Sequence, residues 1–220
     1  MTRESSARPT YRRRFAADSG GFTLIEILVS VLILGMIFSF IFVVLSSSLT
    51  TTREAMKKME VERVGRYFIS RIASDLTCAT LLPASGIGGM LGTHFSANGK
   101  SHDEVHFTAF TQSYFNLRPP TDQAEIGYYF RTAAEGKSSL MRRESDIIEK
   151  PVTAGGEAFA ISDMVEELSI KYRAKEWQDN WVDNWDSDAQ KSLPAMISIE
   201  LKLDDGKTKY FFSTVVKPVV

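Results

Sequence analysis

The feature that most constrains this chain is an uncharged apolar stretch near its amino terminus. Residues 27–45 contain no charged residue and no proline, and only two serines and one glycine interrupt the apolar side chains. As an α-helix, nineteen residues cover roughly 28 Å, which matches the hydrocarbon thickness of a bilayer. The stretch therefore predicts one membrane-spanning helix.

Basic residues come before this stretch. Residues 1–21 carry five arginines against two acidic residues, a net charge of +3, whereas the whole chain has a formal net charge of −1. The positive-inside rule places residues 1–21 in the cytoplasm and the chain after about Ser46 on the far side. A secretory signal is disfavoured, because its apolar core is usually only about 7 to 15 residues long and ends at an A-x-A-like cleavage site.

One carboxylate, Glu26, lies at the start of the span. An unpaired ionisable group at this depth costs at least a few kcal/mol, so it either marks a function or is solvated at the interface. The residues around it, after the basic segment, are Gly20, Gly21, Phe22, Thr23, Leu24, Ile25 and Glu26. This order resembles the processing site of type IV prepilins and pseudopilins, which has a basic leader, a glycine, a phenylalanine, and a glutamate as the fifth residue of the mature chain.

The resemblance implies how the amino terminus matures. An inner-membrane prepilin peptidase would cut between Gly21 and Phe22 and N-methylate the new amine of Phe22. The carboxylate of Glu26 would then pair with the amino-terminal ammonium of a neighbouring subunit, in a low-dielectric setting that fixes the register of the assembly.

The span is predicted to continue as an amphipathic helix. Apolar residues follow at three- and four-residue spacing, and Pro83 with nearby glycines (residues 86–92) ends the pattern. We therefore expect a cleaved leader (1–21), the transmembrane half of a helix (22–46), its amphipathic periplasmic half (47–82) and a globular body (83–220). Cys78, the single cysteine, is predicted to be a small buried residue of this helix, and it excludes an internal disulfide.

The body reads as strands. Alternating apolar residues occur around Val105, around Tyr128 up to a turn at residues 135–137, and again at residues 165–172. The clearest pattern is residues 197–203, followed by a turn at Asp204, Asp205 and Gly206 and a returning strand at 210–216. The fold class is therefore predicted to be α+β and pilin-like, with the long amino-terminal helix packed on one or two antiparallel sheets.

A second resemblance narrows the family. The residues that carry it are Asp75, Leu76, Gly127, Tyr128, Leu140, Arg142, Val165, Leu168, Lys171, Tyr172, Trp181, Trp185, Leu193, Pro194, Ala195, Asp205 and Gly206. Those from Val165 onward are similar to the carboxyl half of the J-type minor pseudopilin of type II secretion systems. Gly127, Tyr128, Leu140 and Arg142 are similar to its central hairpin, and Asp75 with Leu76 to the end of its helix.

The J-type resemblance implies a role in assembly. Such a subunit joins I- and K-type minor pseudopilins at the tip of the pseudopilus, and the major pseudopilin extends the fibre that helps export folded proteins across the outer membrane. The chain would be a single-pass protein of the bacterial inner membrane with a periplasmic body. A minor type IV pilin for adhesion, motility or DNA uptake is the alternative.

Metal and catalytic sites receive little support. His102 and His106 have the four-residue spacing of a zinc-binding helix, but Asp103 stands where that motif needs a glutamate directly after the first histidine. They also fall on a predicted strand, where residues four apart are about 13 Å from each other and cannot share one zinc ion. The glycines do not match a dinucleotide fingerprint. We predict no enzyme activity, no cofactor and no metal; a membrane-tethered enzyme would need a catalytic cluster that the sequence does not provide.

The segment 177–188 combines three tryptophans with four aspartates. Calcium is the ion that such carboxylates could bind, but the spacing of a calcium loop is absent. Packing on the sheet is the favoured role of the tryptophans, while Trp181 and Trp185 stay candidates for a subunit interface, because tryptophan is frequent in binding hot spots. Nucleic-acid binding is not expected, because residues 22–220 are net acidic.

Overall fold

The computed structural model describes residues 21–81, 88–110, 122–132 and 138–219. Most of the predicted leader, Pro83 with Gly86, and the turn predicted at residues 135–137 lie outside the described residues. The described part contains a long helix, α1 (Leu24–Thr77), a short helix, α2 (Ser187–Gln190), and eleven strands. The strands are β1 (Met90–Thr93), β2 (Ser96–Ala97), β3 (Lys100–Ser101), β4 (Glu104–Phe110), β5 (Gln123–Thr132), β6 (Ser138–Ser145), β7 (Glu157–Ser162), β8 (Val165–Arg173), β9 (Trp185–Asp186), β10 (Met196–Asp204) and β11 (Lys209–Val216).

The predicted α+β class is confirmed. The strands form a six-stranded sheet in the order β7-β6-β5-β4-β1-β9, a three-stranded sheet in the order β11-β10-β8, and the small pair β2-β3. Every pairing between these strands is antiparallel. The chain divides into two compact units, one ending at Glu54 and one beginning at Ala55, so α1 contributes to both.

The second unit has one hydrophobic core. The helix contributes the apolar face that the sequence predicts, and the sheets contribute the inward residues of each alternating strand, including Phe107, Tyr128, Ile170 and Leu201. From α1, the buried apolar residues are Val61, Phe68, Ile72 and Leu76, with Val64 partly buried beside them. Helical periodicity and strand alternation thus supply the two faces that pack together.

The helix ends at Thr77, five residues before the predicted end at Leu82, which lies outside the described residues. Ala79 forms an antiparallel bridge with Ala109, and the amide of Thr80 donates to the carbonyl of Thr108 at 2.8 Å. The chain therefore exchanges helical hydrogen bonds for pairing with β4 before the proline is reached.

The hairpin β10–β11 forms as predicted. Its turn is stabilised by Asp205, whose carboxylate accepts hydrogen bonds from the amides of Lys207 and Thr208, each at 2.8 Å. These bonds lower the pKa of Asp205. Gly206 takes a φ of +84°, which a residue with a side chain rarely adopts.

Candidate processing motif and assembly surfaces

The predicted cleavage bond lies just before the helix. Gly21, Phe22 and Thr23 have no regular secondary structure, and 78% of Phe22 is exposed. Thr23 acts as the helix cap, since its hydroxyl oxygen accepts a hydrogen bond from the amide of Glu26 at 3.3 Å. The bond between Gly21 and Phe22 is therefore outside the hydrogen-bonded helix and open to another protein.

Glu26 lies in the first turn of α1. The amino-terminal end of a helix dipole favours a negative charge there, and the pattern Thr-x-x-Glu is that of a capping box. Within the described residues no hydrogen bond or ion pair of the Glu26 carboxylate is found. The carboxylate can therefore accept a cation from outside this chain.

The apolar part of α1 satisfies its own polar groups. The hydroxyl of Ser30 donates to the carbonyl of Glu26 at 2.7 Å, and that of Ser39 donates to the carbonyl of Gly35 at 2.9 Å. Such internal bonds suit an apolar solvent, which offers no partner to a polar group. By length and composition α1 is able to cross a membrane.

The three tryptophans occupy different environments. Trp185 is 4% exposed, its indole N–H donates to the carbonyl of Ser192 at 3.2 Å, and its ring lies 6.2 Å from that of Tyr172. Trp181 is partly exposed beneath the guanidinium of Arg173, whereas Trp177 is 80% exposed. Packing therefore accounts for Trp185, which has almost no surface for direct contact with another subunit.

The aspartates near these tryptophans have separate tasks. Asp186 caps α2 by accepting a hydrogen bond from the amide of Asp188 at 2.8 Å. Asp188 pairs with Lys150 at 2.8 Å, and this contact lowers the pKa of Asp188. In the described ranges, no group of three or more His, Cys, Asp or Glu side chains has a metal-binding arrangement.

His102 and His106, the two candidates for zinc ligands, make separate contacts. His102 stacks on Phe130, with 4.1 Å between the ring centroids, and forms a parallel bridge with Leu168. His106 lies in β4, as predicted, and is 7% exposed. Burial, together with the nearby charge of Arg143, lowers the pKa of His106 to about 4.

Sequence reasoning missed a buried polar network that joins the helix to the sheet. The carboxylate of Asp75 accepts hydrogen bonds from the hydroxyl of Tyr128 at 2.7 Å and from Nε of Arg142 at 3.0 Å. Arg142 also pairs with Glu144, and Arg71 lies 3.3 Å from the other oxygen of Asp75. Burial and the Asp75 charge raise the pKa of Tyr128. Three of these residues, Asp75, Tyr128 and Arg142, carry the resemblance to J-type pseudopilins, but their contacts with one another follow only from the fold.

A second buried arginine holds the connection between β6 and β7. Arg143 donates to the carbonyls of Val152, Ala154 and Gly155, the last at 3.0 Å, and lies 3.4 Å from Glu125. Glu125 in turn accepts a hydrogen bond from the amide of Glu149 at 2.8 Å. Both arginine clusters therefore fix the body internally.

The prediction for Cys78 is wrong, because this thiol is exposed. The helix has ended one residue earlier, and it is the next residue, Ala79, that enters the core. The apolar spacing of the sequence includes Ala79, so the register itself indicated which of the two would be buried.

Comparisons with known proteins agree with this architecture. The model of the prokaryotic N-terminal methylation motif matches residues 17–42, which include Gly21, Phe22 and Glu26. The model of type II secretion system protein J matches residues 43–214, far more than half of the chain. No curated protein matches this chain. An apolar amino-terminal helix with a methylation motif, continuing into an antiparallel body of the protein J type, identifies the chain as a member of the protein J family, a minor pseudopilin of type II secretion.

Proposed function

We propose that this minor pseudopilin joins I- and K-type minor pseudopilins in the complex at the pseudopilus tip and initiates the fibre that the major pseudopilin extends. The observation that carries the proposal is the adjacency of the two matched regions. The methylation motif ends at residue 42 and the protein J region begins at residue 43, within one continuous helix. The body is thereby attached directly to the segment that enters a pseudopilus.

Maturation is the first step of the proposed function. The prepilin peptidase removes residues 1–21 by cutting between Gly21 and Phe22, and it methylates the amine of Phe22. Residues 22–46 then span the bacterial inner membrane, the amphipathic part of α1 follows, and the body faces the periplasm. The exposed, non-helical position of the cleavage bond supports this order.

Glu26 supplies the contact for assembly. In a membrane, a carboxylate without a partner is costly, and the methylated ammonium of a neighbouring Phe22 offers a charge of opposite sign. In a low dielectric the attraction is strong and grows as the two charges approach, so the register that brings them into contact is favoured over registers that leave them apart. Because the residues that follow Glu26 are uncharged and largely apolar, this ion pair is the contact that gives helix packing its specificity.

The proposed role requires no reaction and no cofactor of this chain. The family is a structural component of the secretion machine. The buried ionisable groups Asp75, Arg142, Glu125 and Arg143 contact one another and the backbone, and thus have structural tasks. We accordingly expect neither catalysis nor a calcium requirement.

Mass spectrometry of the mature amino terminus tests the proposal. In cells with the prepilin peptidase the chain is expected to begin at N-methylated Phe22, and in cells without it the leader is expected to remain. Gly21→Val is expected to block cleavage, whereas Gly35→Val, the matched control, is expected to be processed normally. A Cβ at either glycine would meet no neighbouring atom within 4 Å, so both positions have room for a larger residue.

Co-purification tests the partners. The processed chain is expected to bring down the I- and K-type subunits from membranes solubilised in mild detergent, and Glu26→Gln is expected to reduce their recovery while leaving cleavage unchanged. Normal recovery with Glu26→Gln would contradict the assembly role of this carboxylate. An intact leader in cells that contain the peptidase would contradict the maturation step.

A further inference from the structure

Strand β11 is an open edge of the three-stranded sheet. It pairs with β10 in unbroken register along its whole length, and β10 separates it from β8. None of its eight residues is buried, and even the inward-facing ones are only half-buried. Phe211 is 73% exposed and Val215 is 48% exposed. The strand therefore presents a long and largely apolar edge.

The direction of the unused backbone groups follows from the turn. The amide of Asp205 donates to the carbonyl of Thr208 at 3.3 Å, which makes this a hydrogen-bonded pair. Because bonded and non-bonded pairs alternate along an antiparallel ladder, Phe211, Ser213 and Val215 fall in non-bonded pairs with β10. Their N–H and C=O groups point away from the sheet, and no hydrogen bond within the described ranges uses them.

Three other sheet edges in the described part of the chain are less suited to pairing. The far side of β8 is occupied, since the amide of Asp103 donates to the carbonyl of Leu168 at 3.0 Å and Tyr172 pairs with Val182. Strand β9 has only two residues, and the pairing of β7 with β6 shifts register between Leu140 and Met141, an irregularity that makes an edge strand a poorer template for pairing. Residues 210–216 of β11, in contrast, contain no charge and no proline. Such an edge readily pairs with another strand.

The position of β11 indicates which partner can reach it. The carboxylate of Asp205, before the strand, lies 3.7 Å from Lys57, and the amide of Val219, after it, donates to the carbonyl of Thr77 at 2.9 Å. The strand thus runs beside the body segment of α1, in the same direction. If subunits pack through α1, as the proposed function requires, a subunit beside this helix is the partner that can reach the edge.

We propose that β11 accepts an extended strand from the body of a neighbouring pseudopilin, through the outward backbone groups of Phe211, Ser213 and Val215. This inference rests on the proposed function, because it needs a neighbour in the pseudopilus. Backbone pairing supplies the affinity, and the exposed side chains of Phe211 and Val215 contact alternate residues of the added strand.

Hydrogen–deuterium exchange, read at single-residue resolution, tests the pairing. The full processed chain is measured in detergent alone and in the complex with its I- and K-type partners. The amides of Phe211, Ser213 and Val215 are expected to exchange at least about tenfold more slowly in the complex. The amides of Phe212 and Thr214, which already bond to β10, serve as the internal reference.

A pair of variants distinguishes the contribution of the Ser213 backbone N–H to binding from that of its side chain. Ser213→Pro removes one outward N–H without removing a bond to β10, and is expected to weaken complex formation by up to about tenfold, the upper range for the loss of one hydrogen bond. Ser213→Ala, the matched control, keeps the N–H and is expected to bind normally. If the proline variant fails to fold, the exchange measurement on the unaltered chain decides the question.

The outcomes distinguish this inference from the function on which it rests. A complex that forms while the three amides keep their exchange rates would overturn the strand pairing and leave the tip complex intact. Protection that appears in the chain alone and rises with its concentration would identify a second copy as the occupant and would also overturn the proposal. If the unaltered chain forms no complex, both the tip assembly and the strand pairing are refuted.

Discussion

The buried carboxylate of Asp75 offers the sharpest test of what holds the helix to the sheet. This side chain is 6% exposed and accepts hydrogen bonds from the hydroxyl of Tyr128 and Nε of Arg142, with Arg71 close by. Asp75→Ala leaves the guanidinium of Arg142, itself 8% exposed, with only Glu144 as a charged partner. Removing one partner of a buried ion pair costs about 3–5 kcal/mol, because the remaining charge cannot return to water.

We therefore expect Asp75→Ala to lower the free energy of unfolding by about 3–5 kcal/mol. Asp75→Asn keeps one acceptor oxygen but loses the charge, and is expected to cost about 1–3 kcal/mol. The assay is urea unfolding of the full chain in detergent micelles, followed by the tryptophan fluorescence, in which Trp185 reports on the same core because it is the buried tryptophan.

Glu60→Ala is the matched control on the same helix. Glu60 forms an ion pair with Arg63 at 2.6 Å, but both side chains are more than half exposed, so little change is expected. If Asp75→Ala proves no more destabilising than Glu60→Ala, the network does not stabilise the contact between helix and sheet, and the reasoning from burial is refuted.

Three further results are expected. Gly92→Ala should destabilise the body by about 1–3 kcal/mol in thermal unfolding, because the new methyl group would collide with the buried ring of Tyr172; an unchanged melting temperature would show that the core adapts. The pKa of His106 is about 4 in the folded chain against 6.5 unfolded, so the unfolded state binds more protons between these values and stability should fall as the pH drops through this window. His106→Gln should flatten that part of the pH profile, and an unaltered slope would exclude this histidine as its source. Cys78 should react with a maleimide in the folded chain about as fast as in urea, and strong protection would contradict its exposure.

Local patterns in the sequence predict much of this fold. Strand alternation located β10 and β11 and the turn between them, and helical spacing gave the buried face of α1. These features depend on neighbours within a few residues along the chain, so their period can be read directly. The helix α1 ends earlier than its local pattern predicts, because pairing with β4, about thirty residues further on, competes with the helix for the same backbone groups.

The buried network of Asp75 shows a second limit. Its members are separated by 53 residues between Asp75 and Tyr128 and by 67 between Asp75 and Arg142. As isolated residues, the charged members Asp75 and Arg142 would each be assigned to a solvated face, since charged side chains are rarely buried without a partner. Only the packing of α1 on the six-stranded sheet brings their complementary charges together.

The amino-terminal segment and the body differ in how much of their function the sequence alone predicts. Around Gly21 and Glu26 the chemistry is set by position along one stretch of chain, so residue type and spacing suffice to predict a processing site. In the body, residue type alone does not distinguish Trp181 from Trp185, whereas the structure buries Trp185 and leaves Trp181 partly exposed. Sheet order also leaves the edge of β11 open, and Phe211 and Val215 look like ordinary strand residues until the neighbouring strands are known. In this chain a partner surface is therefore best tested first at the strands that lie at the edges, and only then at residues chosen by type.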